Sequence, residues 1–486
     1  MEDYRIEETA PSPNKASPQL NCKILYVSGF RGTTFQAFNN DAAAPASDGT
    51  HVRNRDTPRT YVASGESRGK KDNTLPNVAS AGGINNATKN EDDIRSNRAL
   101  YDDAVQGDLE VTERLVKEDN KVCIYPLNDK LQNVFHIISK REEEEEDDRV
   151  VEKLENIVSN MSVDDLGKKD GDGRTALHVT ALYGNTKMAQ VFIRKNCRLL
   201  FVSDGHHDLP VHLAARNIRQ SEAVYTFFFN VTRQKCEEVQ VPTANPFELS
   251  SAMQLFCYLI GSKFYDLALD LVVKYDELGV SVAEIPGSKL DEKNPDVASH
   301  PLLKSKTSAL QALVQFDCPI INTSHLSFWH NSISYLWQPK SMKNKMSMHR
   351  KAEKLLHHLC NKIKSLKDHK QVVAVAKSAM FEAARLDMDT VVTSILDTCP
   401  AIVYCLDDNK CSVFHIAVEN RSENVFNLLC QKSIQMRDLA EMVDVHGNGM
   451  LHLAGKLAPP HKLNSVSGAA LQMQLELQWF EVIFPL

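Results

Sequence analysis

An all-α solenoid of short helical hairpins stacked side by side is the fold class that the sequence predicts. Three observations point to it. A pattern recurs with a period near 33: an Asp/Gly turn, a small polar residue, Leu, His, an apolar residue and Ala. The apolar runs between the turns are short, such as Leu255 to Ile260, far below the roughly 18 residues of a spanning helix. The 486 residues carry a net charge of −7 and 11 scattered cysteines, an odd number. Such a balance excludes a globally basic nucleic-acid binder, and odd, scattered cysteines do not make a disulfide framework.

Taken in order, residues 1–95 are rich in Asn, Ser, Thr, Gly, Pro and Ala, with one short strand-like stretch, Lys23 to Phe30. Too little apolar area is available there to offset ordering entropy, so a disordered polar arm is expected. The start, Met1-Glu2-Asp3-Tyr4, has no signal-peptide character. The first repeat block is expected over 96–280. Its clearest copies are Asp170-Gly171-Asp172-Gly173-Arg174-Thr175-Ala176-Leu177-His178-Val179-Thr180-Ala181 and Asp204-Gly205-His206-His207-Asp208-Leu209-Pro210-Val211-His212-Leu213-Ala214. A second block over 376–486 repeats the pattern at Ser412-Val413-Phe414-His415-Ile416-Ala417 and Gly449-Met450-Leu451-His452-Leu453-Ala454.

Within one unit each residue type has a reason. Thr175 precedes the apolar run and can cap the first helix. Leu177 and Ala181 share one helical face. Ala181, Ala214 and Ala417 are small enough for neighbouring helices to approach closely. Gly184 falls where the first helix should end and suits the left-handed cap. His178, His212, His415 and His452 stand a whole repeat apart, too far to converge on one metal ion, so an imidazole bonding the adjoining turn is expected instead.

A period near 33 with a Thr-x-Leu-His-x-Ala core resembles the ankyrin repeat. More of the chain is similar to plant ankyrin-repeat proteins of the PGG-domain family, the accelerated-cell-death and salt-tolerance group. The residues that carry this are Ala417 to Arg421, Val425 to Leu429, Asp444 to Leu457, Leu463 to Gln474 and Glu476-Leu477-Gln478-Trp479-Phe480. Thr307 to Leu313 and Phe328-Trp329-His330 resemble a degenerate central repeat of that group. The resemblance implies roles in stress or defence signalling. It also implies membrane-spanning helices after the Trp-Phe element, but this chain stops at Phe484-Pro485-Leu486, so a truncated, spliced or incompletely predicted form is expected.

Two segments interrupt the pattern. Residues 281–345 contain Pro286, Pro295, Pro301, Pro319 and Pro339, and predict an irregular insert with one degenerate helical pair. Residues 346–375 predict a basic amphipathic helix, with Leu355, Leu356, Leu359, Ile363 and Leu366 on one face. Lys351, Lys354, Lys362 and Lys364 are its candidate lipid contacts, because a cationic helix face is drawn to anionic lipid. Glu142 to Asp148 is an acidic run expected to form a solvated loop between two helices.

No nucleophile elbow, P-loop or zinc-protease motif occurs, and no aromatic residue interleaves the lysines as nucleic-acid stacking requires. The sequence therefore predicts a non-enzymatic protein–protein scaffold with no cofactor, no metal, no nucleic acid and no small-molecule substrate. Its partner would lie on the concave face, with Arg174, His206, His207, Asn409, Lys410 and His446 as candidate contacts on the turn tips. The expected location is cytoplasmic. The alternative is a signalling component held at the inner face of the plasma membrane by the basic helix or by a spanning partner.

Overall fold

The computed structural model describes residues 97–119, 121–141, 148–238, 245–285, 306–316, 340–432, 438–439 and 441–484. The arm expected over 1–95, most of the acidic run and much of the 281–345 insert lie outside the described residues.

The first helices of successive hairpins form one inner row. They are α1 (97–106), α3 (Val134–Ile138), α5 (Ala176–Tyr183), α7 (Pro210–Ala215), α9 (Leu249–Gly261), α11 (Ala309–Gln315), α13 (His369–Arg385), α15 (Val413–Glu419) and α17 (Met450–Ala454). From α3 to α17 each packs on the next. The second helices stand behind them: α2 (Glu110–Glu118), α4 (Asp148–Ser159), α6 (Thr186–Lys195), α8 (Glu222–Glu238), α10 (Tyr265–Lys274), α12 (Lys340–Lys364), α14 (Asp389–Thr398) and α16 (Glu423–Gln431). The stack closes with α18 (Pro460–Leu463) and α19 (Ala469–Ile483). This is the all-α ankyrin-type solenoid. The two expected blocks are joined without a gap, because α11 packs on α9 at one side and on α13 at the other. The stretch expected as a separate basic helix serves as a second-row helix, with Leu355, Leu356, Leu359 and Ile363 buried and contacts to α10, α11 and α14.

Burial explains why the units cannot stand alone. Phe135 of α3 meets Phe192 of α6 edge to face at 5.9 Å, from one repeat to the next. Leu177, Ala181, Ala214 and Ala417 are fully buried between neighbouring helices. The α5 helix ends at Gly184, whose φ is 81° and whose N–H bonds Thr180 O at 2.8 Å. The same link carries non-glycine residues elsewhere, Gln220, Lys263, Asp387 and Arg421, all at positive φ.

Among the described residues the one sheet is a two-stranded antiparallel hairpin, β1 (Val282–Glu284) with β2 (Lys306–Ser308), in the register Ala283↔Thr307. It stands where other repeats have a short turn. β2 leads directly into α11, whose first turn is capped by Ser308 Oγ accepting the Gln311 N–H at 3.2 Å.

Candidate protein-binding surface

Among the described residues five turns share one construction. In the turn at Asp170, Oδ1 accepts the N–H groups of Asp172 at 3.0 Å and Arg174 at 2.8 Å. Asp204, Asp407 and Asp444 repeat this arrangement, and Asn128 does so in the earliest turn. Asp and Asn side chains favour such turns because they mimic a backbone carbonyl. The residue three places on is left-handed in every case: Leu131, Gly173, His207, Lys410 and Gly447.

Neighbouring tips are tied together. Gly171 N–H donates to Lys130 O at 2.8 Å, Gly205 N–H to Asp172 O at 3.0 Å, and Val445 N–H to Asn409 O at 3.0 Å. A Cβ on Gly173 would lie 2.6 Å from the Gly205 nitrogen, so glycine is required there by this close approach as well as by its φ of 75°.

The repeat histidines tie each inner helix to the unit that follows. His178 Nδ1 accepts the Thr175 N–H at 3.1 Å, and Nε2 lies 3.2 Å from Asp208 O in the following tip. His136 reaches Arg174 O at 2.8 Å, His212 reaches Ser251 O at 3.2 Å, and His415 reaches Met442 O at 3.0 Å. A backbone N–H can only donate and a carbonyl can only accept, so these partners assign the neutral ring with its proton on Nε2. Burial lowers the His178 imidazole to about 3 and that of His212 to about 4, and it also lowers His136 and His415. His452, on the last inner helix, keeps the Nδ1 bond to Gly449 N–H at 3.2 Å but is exposed.

The candidate contact residues fall in two groups. Arg174, His206 and His207 sit on adjacent tips, and Asn409, Lys410 and His446 on another adjacent pair. The repeats that begin at α9, α11 and α13 lie between the groups. His207, Asn409, Lys410 and His446 are exposed, and His206 is half-buried. Arg174 is half-buried and lies between acids of two tips, 3.1 Å from Asp172 Oδ2 and 3.6 Å from Asp204 Oδ2.

The basic helix divides its charges. Lys351 pairs with Asp266 at 2.8 Å and Lys362 with Asp276 at 2.7 Å, both on neighbouring segments of the stack. Lys354, Lys364 and Arg350 face outward and are exposed.

Two arrangements lay beyond the sequence reading. Asp208 is buried, accepting Gln254 Nε2 at 2.7 Å and the Tyr258 hydroxyl at 3.3 Å, with Arg216 Nη1 at 3.5 Å. Burial, with Asp204 close by, pushes its carboxyl up to about 7. These partners are up to 50 residues apart, so no local pattern marks them. Arg421 is the second. Its guanidinium donates to Val418 O at 2.9 Å, Ala454 O at 3.1 Å, the Lys456 carbonyl, and Glu476 Oε2 at 2.7 Å. In sequence it stands only as the last residue of the Ala417 to Arg421 stretch, with no role of its own.

Among the described residues no group of His, Cys, Asp and Glu could hold a metal ion, and no helix is long and apolar enough to cross a membrane.

The family model for the ankyrin repeat matches residues 172–203, the stretch from the Asp172 tip through α5 and α6. That stretch is thus similar to one ankyrin repeat, and the hairpins stacked on either side of it share its helix–turn–helix build. No curated protein matches the chain.

Proposed function

We propose that the chain is a non-enzymatic scaffold that grips a protein partner with its turn tips and the inner helices behind them. One observation carries this reading. Five tips of shared construction are each hydrogen-bonded to a neighbouring tip, and those at Asp170 and Asp204 also to a helix histidine, so exposed side chains stand at fixed spacings on a rigid frame. Little loop entropy then remains to be lost on binding, which favours affinity. The resemblance to plant PGG-domain ankyrin proteins supports a setting in stress or defence signalling.

Proximity labelling with the full chain tests the scaffold reading. Replacing His207, Lys410 and His446 by Glu should remove a defined subset of neighbours while leaving the melting temperature unchanged. An identical set of labelled proteins from wild type and variant would sink it.

A second reading rests on the outward stripe of Arg350, Lys354 and Lys364, which suits an anionic membrane surface. Each cation contributes about 1 kcal/mol there. The leucine face of this helix is buried in the stack, so such contact would be electrostatic and lost at high salt.

A further inference from the structure

Four residues after the repeat histidine, or after the residue in its place, a cation stands in four of the repeats: Lys140, Arg216, Arg385 and Lys456. Three of them are satisfied by a close neighbour. Lys140 donates to Gln132 Oε1 at 2.6 Å, Arg385 pairs with Glu382 at 2.9 Å, and Lys456 pairs with Glu419 at 3.1 Å. Arg216, which follows α7, has a weaker hold. Its Nη1 is 3.5 Å from Asp208 Oδ2, at the outer limit of a hydrogen bond. That carboxyl is already engaged by Gln254 Nε2 at 2.7 Å and by the Tyr258 hydroxyl at 3.3 Å. Burial, with Asp204 close by, raises it to about 7, so near neutral pH it is an incomplete counter-ion.

Arg216 is held in place all the same. Its guanidinium lies over the ring of Tyr258, 4.9 Å from the centroid, and Tyr258 fills the equivalent position on α9. That ring is itself fixed, meeting His212 edge to face at 6.2 Å. One face of the guanidinium is thus covered and one nitrogen turns toward Asp208, while 23% of the side chain stays open to solvent. Among the described residues the side chain has no hydrogen-bond partner other than Asp208. A guanidinium keeps its charge and carries more N–H donors than this single contact uses. An arginine that is stacked, oriented and partly desolvated has the character of a residue that dominates an interface.

We infer that Arg216 anchors an Asp or Glu side chain of the protein partner, whose carboxylate takes the guanidinium donors that Asp208 leaves free. This rests on the scaffold reading and adds to it the chemistry of the partner. Asp208 ends the turn that carries His206 and His207, so one segment of the partner meets that tip and Arg216 together. The other cation at this tip, Arg174, is already placed between Asp172 and Asp204. A carboxylate fits better than a phosphate group. With Asp204 and Asp208 close by, one guanidinium has too little charge to balance a dianion. It does match the plane and the paired oxygens of a carboxylate, and the Tyr258 ring fixes that plane.

Panning a phage library of random dodecapeptides on the full chain supplies the probe. Enriched peptides should share one Asp or Glu at a fixed place, and a synthetic peptide of that consensus should bind wild type with a Kd of about 1–100 μM. Arg216→Lys keeps the charge but loses the fork and the stacking, and should weaken this peptide about tenfold or more with a melt close to wild type. Exchanging the peptide's acid for its amide should weaken wild-type binding by a similar factor and cost little further in Arg216→Lys. Phosphoserine in place of the acid should also bind less well. The inference is overturned if the peptides share no acid, if Arg216→Lys binds as tightly as wild type, if the two losses multiply, or if the phosphoserine peptide binds more tightly. A library that yields no binder overturns it together with the scaffold reading. Binders lost on replacing His207, Lys410 and His446 by Glu, yet lacking a shared acid, overturn it alone.

Discussion

His178 has opposite duties at its two ring nitrogens, one accepting from its own helix start and one donating into the next tip. Protonation would place a proton on Nδ1 facing a backbone N–H, so the folded state resists it. The folded value, about 3, lies below the unfolded value of roughly 6.5. Stability from this group is therefore complete above pH 6.5 and is lost as pH falls toward 3, because the unfolded chain takes up the proton first. Asp208 acts with the opposite sign: its carboxyl, raised to about 7, favours the folded state as pH falls. The total pH profile thus mixes the two, and a difference isolates the histidine. Between pH 7.5 and 5, urea unfolding of His178→Gln should lose about 2 kcal/mol less than wild type does. Parallel losses in the two proteins would show that the ring is not held neutral. The repeated Leu-His pair made this residue legible as a structural one in sequence. Its acceptor was not, since Asp208 O is 30 residues away and is placed only by the stacking of repeats.

At the scale of elements, the helix pattern was legible where the turn chemistry was regular and faded where it was not. The α5 helix shows its cap, its small face and its glycine end in the text. By contrast, α11 has Gln311 where α3, α5, α7, α15 and α17 have His, follows strand β2 instead of a short turn, and falls within the stretch expected as an irregular insert. The lysines of α12 drew attention to lipid, yet two of them pair with Asp266 and Asp276, acids that only the fold brings near. The closing helix α19 is held by another such contact. Arg421 sits at a positive φ of 55°, a conformation that costs a non-glycine residue about 1–2 kcal/mol. Its bonds to three carbonyls and Glu476 offset that cost. Arg421→Ala should destabilise the C-terminal repeat by about 2–4 kcal/mol, since it strips a half-buried carboxylate and three carbonyls of a donor. Hydrogen exchange should then quicken over 469–483 and not over α5 to α7. Unchanged protection of α19 would mean that Trp479 alone anchors it.

For the whole molecule, the question is whether the nine inner helices among the described residues behave as one body or two. In a stack, each repeat gains stability from its own fold and from the faces of its neighbours, so cooperativity passes only through adjacent pairs. The central pair is the bridge: α11 is buried along its length, between α9 and α13. Leu310 and Leu313 are both fully buried in it. Replacing each by Ala removes about 2–5 kcal/mol and leaves cavities that the small helix cannot close. Wild type should melt in one calorimetric transition, because the bridge couples the repeats before it to those after it. Leu310→Ala/Leu313→Ala should split that melt in two, with the α3–α9 part and the α13–α19 part unfolding at different temperatures. The same substitution strategy applied to α17, near the end of the row, should lower the melting of the last repeats without splitting the rest. A single transition that merely moves to lower temperature in the central variant would show that coupling bypasses α11, through the outer contacts of α10 with α12.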